Sequence, residues 1–155
     1  MLTQFQKRRR AAALVLVVVM LSACAPKDDT KKAEAEVDRF HQRWNQWDFT
    51  GVYNDAHKDF RAAQDAQRTI SQLQSSRKLY GAFKSAKTRG MEITFEHSEK
   101  DIILKYDCVY EHGAAAEAFS YRMTDGKPLL ASYYILSPER AAKFDAEEAK
   151  RKAQK

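Results

Sequence analysis

From about residue 31 to residue 80, apolar positions recur with the period of an α-helix. The first segment places one face of a helix over about 31–47, because its apolar residues are spaced four, three, four and three positions apart. These residues are Ala33, Val37, Phe40, Trp44 and Trp47. The spacing predicts that all five lie on the buried side of the first helix.

Two further helices are predicted before residue 82. Asp48 or Thr50 can begin a short second helix, and an irregular stretch then ends at Phe60. A third helix starts near 65–69, with Gly81 as a plausible C-cap. Its buried face carries Ile70, Leu73, Arg77 and Tyr80.

The period changes from 3.6 to 2 after about residue 86, which is typical of strands with one buried face. The alternating runs are 91–97, 101–112, 115–124 and 128–137. Asp125-Gly126 is a strong hairpin signal and Gly113 marks another turn. The inward positions include Tyr106, Cys108, Tyr110, Phe119, Tyr121 and Tyr133.

Ser137-Pro138-Glu139 has the features of a helix start, and the Ala/Glu/Lys-rich tail 138–155 holds Phe144 as its one large apolar residue. We therefore expect an exposed C-terminal helix. Helices followed by an antiparallel sheet give an α+β fold: three N-terminal helices, four strands and this tail.

The N-terminus has the pattern of an export signal. Four basic residues lie at 7–10, and an uncharged apolar run fills 11–23. This run is shorter than the roughly 20 residues that span a bilayer. Leu21-Ser22-Ala23-Cys24 resembles the lipobox of bacterial lipoproteins. The alternative is an ordinary signal peptide with a chance cysteine.

The lipobox resemblance implies that signal peptidase II cleaves between Ala23 and Cys24 and that Cys24 carries lipid, palmitate included. Ala25 follows the cysteine, which implies an outer-membrane protein that faces the periplasm. The domains are then a signal peptide over 1–23, a lipidated linker over 24–30 and a folded domain over 31–137.

Charge argues against nucleic-acid binding. The chain has 27 basic and 21 acidic residues, but residues 1–23 carry four of the basic ones and no acid. The remaining 132 residues therefore have 23 basic and 21 acidic residues, which suits one nearly neutral domain. With Cys24 lipidated, Cys108 has no intramolecular partner, and its inward position favours a buried thiol over an intermolecular disulfide.

The order of elements, with the aromatic first helix, "GVYNDAHKDF" and "TDGKPLLASYYIL", is similar to the cystatin-like, nuclear-transport-factor-2-like superfamily. This resemblance covers about 31–137. It implies a curved sheet wrapped around the first helices in a cone, with either a ligand cavity or filled core between them. Within the superfamily it is similar to uncharacterised bacterial domains that follow a lipobox.

Enzymes of that superfamily place acids, tyrosines or His/Asp pairs in the cone. The candidates here are His41, His57, Asp55, Asp107, Tyr106, Tyr110 and Tyr121. Asp107 is predicted on the exposed side of its strand, and Asp55 and His57 are two positions apart on a helix, where side chains do not face each other. His41 is one residue off the apolar stripe. No catalytic residue transfers, and a surface or packed structural role is favoured for each histidine.

Metal and cofactor sites are not expected. His97 and His112 approach each other if their strands pair, but two ligands without a third make a poor zinc site. The sequence has no nucleophile elbow, phosphate loop or CxxC pair.

The inward aromatics form either a packed core or an apolar pocket with hydroxyl groups. They are Phe40, Trp44, Trp47, Tyr106, Tyr110, Phe119, Tyr121 and Tyr133. We expect an envelope lipoprotein that is a non-enzymatic protein-interaction or self-associating module. The alternatives are a binder of a small apolar or aromatic ligand, and an isomerase- or dehydratase-like enzyme.

Overall fold

The structure, a computed structural model, describes residues 26–96 and 98–154. Ala23 and Cys24 lie outside these residues. The described part is an α+β domain with N-terminal helices, a four-stranded antiparallel sheet and a C-terminal helix, as predicted. Its elements are α1 (Pro26–Gln46), α2 (Phe49–Asp55), α3 (Lys58–Ala63), α4 (Ala66–Tyr80), β1 (Phe83–Glu96), β2 (Glu99–Tyr110), β3 (Gly113–Thr124), β4 (Lys127–Leu136) and α5 (Pro138–Ala153).

The apolar stripe of α1 is buried as the spacing predicted, except at its last member. Ala33, Val37, Phe40 and Trp44 are at most 4% exposed, whereas Trp47 is 45% exposed. The prediction for Trp47 is wrong because α1 ends at Gln46 and Trp47 adopts a left-handed φ of 61°. The chain turns there, and the Asp48 side chain caps α2 by accepting from the Gly51 amide.

The helical region is longer and more divided than the pattern indicated. Helix α1 already begins at Pro26, so most of the segment predicted as linker is helical. The irregular stretch before Phe60 contains the short helix α3, which His57 caps. Helix α4 starts within the predicted range, with Asp65 as its N-cap, and Gly81 is its C-cap, as predicted.

The sheet has the strand order β1-β2-β3-β4, with every neighbouring pair antiparallel. Asp125 and Gly126 both have positive φ, at 50° and 74°, as a tight hairpin turn of this kind requires. Strand β1 begins at Phe83, earlier than the predicted 91. The sequence pattern missed its first half because residues 84–88 are all exposed and include no large apolar side chain, so they give no alternating signal.

Helix α5 is capped by Ser137 and is mostly exposed, with Ala141 as its buried residue. Ion pairs hold it against the sheet: Glu148 lies 3.0 Å from Lys105, and Asp145 lies 3.2 Å from Arg89. Among the described residues, no helix is both long and apolar enough to cross a membrane.

Candidate functional site: a buried glutamate and its donors

Glu117 is a carboxylate in the centre of the core. It lies on β3 opposite Tyr106 of β2 and Ile135 of β4. The alternation that turns Phe119 and Tyr121 inward also turns Glu117 inward, and it is 1% exposed. A buried charge of this kind is costly unless it is paired and hydrogen-bonded.

Four side chains satisfy the Glu117 carboxylate. Nε2 of His41 lies 2.7 Å from Oε2, and the Cys108 thiol donates to the same oxygen at 2.9 Å. The hydroxyls of Tyr110 and Tyr133 each donate to Oε1 at 2.5 Å. Both oxygens therefore have two partners each, which is enough to stabilise an ionised carboxylate in the core.

Separate elements bring these donors together. His41 follows Phe40 on α1, and its ring stacks on Phe83 with a centroid separation of 3.6 Å and an interplanar angle of 4°. Cys108 and Tyr110 are two positions apart on β2, so both face the core. Tyr133 comes from β4. The site thus depends on how α1 lies across the sheet.

The pKa directions follow from burial and these contacts. Burial raises the pKa of Glu117, but hydrogen bonds from His41, Cys108 and Tyr110, together with the charge of His41, outweigh it and hold that pKa below 4.5. Burial and the Glu117 charge raise the pKa values of Cys108 and Tyr110. They raise that of Tyr133 as well. The thiol is thus a protonated donor rather than a reactive thiolate.

This arrangement limits the chemistry of the site. Both oxygens of Glu117 already accept from protein donors, so the carboxylate is not free to remove a proton from a substrate. The donor atoms of His41, Cys108 and Glu117 lie within 4.8 Å of one another, and all three residues are buried. These are residue types that bind transition metals.

Between α1 and the sheet, the inward aromatic side chains pack against one another. The Phe40 ring lies 5.1 Å from that of Phe119 and 4.5 Å from that of Tyr133, and the Phe119 and Tyr133 rings are 5.1 Å apart. The Trp44 indole contacts Tyr110 and donates to the Gly81 carbonyl at 3.1 Å. These rings form a core between α1 and the sheet.

Tyr106 and Tyr121 belong to the same core. Both are less than a tenth exposed and contact Phe119. Burial, followed by nearby acidic residues, raises the pKa of Tyr106 to about 12. Trp47, by contrast, lies outside the core and packs against Phe49, with the Arg77 guanidinium 5.0 Å from its ring.

The other candidate residues do not join the Glu117 cluster. His57 is buried but caps α3, where its Nδ1 accepts from the Asp59 amide. Asp55 accepts a hydrogen bond of 2.6 Å from the Arg43 guanidinium. Asp107 is exposed, as predicted. His112 is exposed, with Nδ1 3.2 Å from the Leu79 carbonyl oxygen. His97 lies outside the described residues.

A second polar cluster centres on Arg122. Its guanidinium binds Asp101 through two contacts of 2.7 Å and also reaches Asp59 at 2.7 Å and Glu99 at 3.0 Å. Arg122 is 7% exposed, although its place in the alternation is opposite the inward residues. The cluster links α3 to the end of the sheet at which the β1–β2 and β3–β4 hairpins lie.

Two of the surface grooves formed by the described residues lie beside the helices α1 and α4. One, of about 640 Å³, runs between α1, α2 and the β3–β4 turn, and Phe40, Tyr121 and Leu130 form part of its floor. The other, of about 700 Å³, runs between α4 and β4. Glu117, His41 and Cys108 line neither groove.

Sequence reasoning missed Glu117. The signal was present, because residues 117, 119, 121 and 123 share one side of a strand and only the first is charged. An acid at an inward position requires a partner, and this requirement points to the inward His41, Cys108 and tyrosines.

No protein-family model matches this chain, and no curated protein matches it either.

Proposed function

We propose that this chain is a lipid-anchored bacterial envelope protein whose cone-fold domain is a non-enzymatic module that binds a protein partner or a second copy of itself. The resemblance of residues 21–24 to a lipobox supports the anchor. The packing of helices on a four-stranded meander supports the cystatin-like, nuclear-transport-factor-2-like fold, which rests on element order.

The observation that carries the interaction role is the groove beside β4. Strand β4 is at the edge of the sheet, with β3 as its one strand neighbour among the described residues. The groove of about 700 Å³ follows Ala131–Ile135 of this strand on one side and α4 on the other. An extended partner segment can pair with such an edge and place side chains in the groove.

Exposed apolar side chains support the same role. Tyr134 of β4 is 62% exposed, and Val109 of β2 is 50% exposed. Tyrosine at a surface gives apolar contact area with a polar end, which is why it is enriched at interfaces. The filled core favours a surface function over a ligand held deep in the cone.

The anchored end of the domain also fits the proposal. Helix α1 begins at Pro26, two residues after Cys24. Lys100 forms an ion pair of 2.9 Å with Asp29 in its first turn, which brings the β1–β2 hairpin to this end. Phe95, the register partner of Lys100, is 72% exposed, and an exposed ring near the start of α1 supports contact with lipid headgroups beside the anchor.

The alternative function is binding of a small molecule, and the first groove favours it. Its floor is apolar, and its rim holds ion pairs of Arg39 with Glu36 and of Arg43 with Asp55. Such a groove suits a small apolar or aromatic ligand with polar groups at its edge. An isomerase- or dehydratase-like activity has less support, because the partners of Glu117 occupy both of its oxygens.

The test of the interaction role is cross-linking in cells that carry either wild-type protein or the Tyr134→Ser variant. We expect a cross-linked protein partner or dimer that is lost in Tyr134→Ser, while Met91→Ser, an exposed apolar position on the opposite edge strand β1, retains it. Because Tyr134 is exposed, the variant should change stability by no more than about 0.5 kcal/mol. A wild-type protein that forms no cross-link would contradict the role.

A further inference from the structure

The geometry points to a metal site at His41, Cys108 and Glu117 that takes a borderline divalent ion such as Zn²⁺. The site lies in the core rather than in either groove, and it is independent of the proposed interaction role. Its three donors are an imidazole nitrogen, a sulfur and a carboxylate oxygen, each from a residue at most 4% exposed.

The donor atoms already converge on one point. His41 Nε2 and Cys108 Sγ lie 2.7 and 2.9 Å from the same Glu117 oxygen. Tetrahedral zinc binds nitrogen and oxygen at about 2.0–2.2 Å and sulfur at about 2.3 Å, so neighbouring donors lie roughly 3.4–3.6 Å apart. The two distances to Glu117 Oε2 must therefore each open by roughly 0.7 Å, which is a side-chain movement rather than a change of fold.

The surroundings are those of a supported ligand set. The Tyr110 and Tyr133 hydroxyls both donate to the other oxygen, Oε1, and leave Oε2 toward the imidazole and thiol. The Phe83 ring stacked on His41 fixes the plane of the imidazole. Partners that orient the ligating groups in this way are a regular feature of metal sites.

Charge and proton balance are also favourable. A divalent ion with a thiolate, a carboxylate and a neutral imidazole has no net charge, which suits a buried site. Binding releases the Cys108 thiol proton to solvent. The Nε2 proton of His41 also leaves this nitrogen, either to solvent or to Nδ1, so uptake should weaken as the pH falls.

The test uses the full chain, freed of metal and titrated with Co²⁺ and then Zn²⁺. Co²⁺ should bind with a stoichiometry of one and give a near-ultraviolet thiolate-to-cobalt absorption band, which Zn²⁺ removes. Zn²⁺ should also raise the Tm. A wild-type protein that shows neither the band nor a Tm change overturns the proposal.

The variants separate this site from surface histidines. Cys108→Ser should lose the band and weaken Zn²⁺ binding by more than about 100-fold, since even an outer partner of a ligand costs up to that factor. His41→Gln should abolish the Tm increase. His112→Gln removes an exposed histidine and should bind like the wild type. Equal binding by Cys108→Ser and the wild type also overturns the proposal.

Discussion

The imidazole of His41 and the carboxylate of Glu117 are 76 positions apart in the chain and 2.7 Å apart in the structure. This contact joins α1 to β3 through the middle of an aromatic core. Because the pair is buried, a shift of α1 across the sheet would leave the Glu117 carboxylate without its His41 partner. The contact therefore favours one position of α1 on the sheet.

Glu117→Gln is expected to destabilise the domain by about 3–5 kcal/mol, because it leaves buried donors without an ionised acceptor. Denaturant unfolding of both proteins at neutral pH gives this difference. Glu147→Gln, at an exposed position of α5, is the matched control and should stay within about 0.5 kcal/mol of the wild type. Equal losses in the two variants would show that the Glu117 contacts do not stabilise the fold.

Acid should weaken the domain partly through the same residue. Because the folded state lowers the Glu117 pKa below 4.5, its stabilisation is fully present above that pH. It is lost as the pH falls through the lowered folded value. The unfolding free energies of the wild type and Glu117→Gln should therefore converge in acid. A difference between them that stays constant with pH would contradict the ionised state.

Trp44 and Trp47 form a matched pair on either side of the end of α1. Trp44→Ala should cost about 3–5 kcal/mol, since the indole is fully buried. Trp47→Ala should cost only about 0.5–1 kcal/mol, mainly from the lost contact with the Arg77 guanidinium. Unfolding curves of the two variants measure both values, and a reversal of their order would place the wrong tryptophan in the core.

Arg122→Met should destabilise the domain by about 3–5 kcal/mol, because Asp101 would be left buried without its cation. The double variant Arg122→Met/Asp101→Leu removes both members of the pair and should recover much of the loss. Thermal unfolding of the three proteins tests this coupling. If the double variant is less stable than Arg122→Met by the full cost of a second deletion, the two residues act independently.

The hydrophobic period predicted the fold class and strands β2, β3 and β4. Residue types at the helix ends predicted the caps Gly81 and Ser137. The period did not predict the end of α1, because Trp47 continues the helical spacing and only its left-handed φ shows the break. It also missed the first half of β1, where polar residues are exposed.

The candidate site was predictable only in part. The alternation placed Cys108 and Tyr110 inward, and Tyr133 as well. The contact from His41 to Glu117 depends on where α1 crosses the sheet, which no local pattern of the sequence determines. Burial of Arg122 likewise requires Asp59 from α3, a helix that the sequence pattern did not reveal.

Native mass spectrometry of the full-length protein, extracted gently from its own membranes, tests the proposed function most directly. The account predicts a chain that starts at Cys24, carries acyl mass on that residue and is bound to a second protein or a second copy. Cys24→Ser should lack the acyl mass and leave the membrane fraction. An unacylated monomer would contradict both parts of the proposal, and a monomer with an added small-molecule mass would favour the groove beside α1 instead.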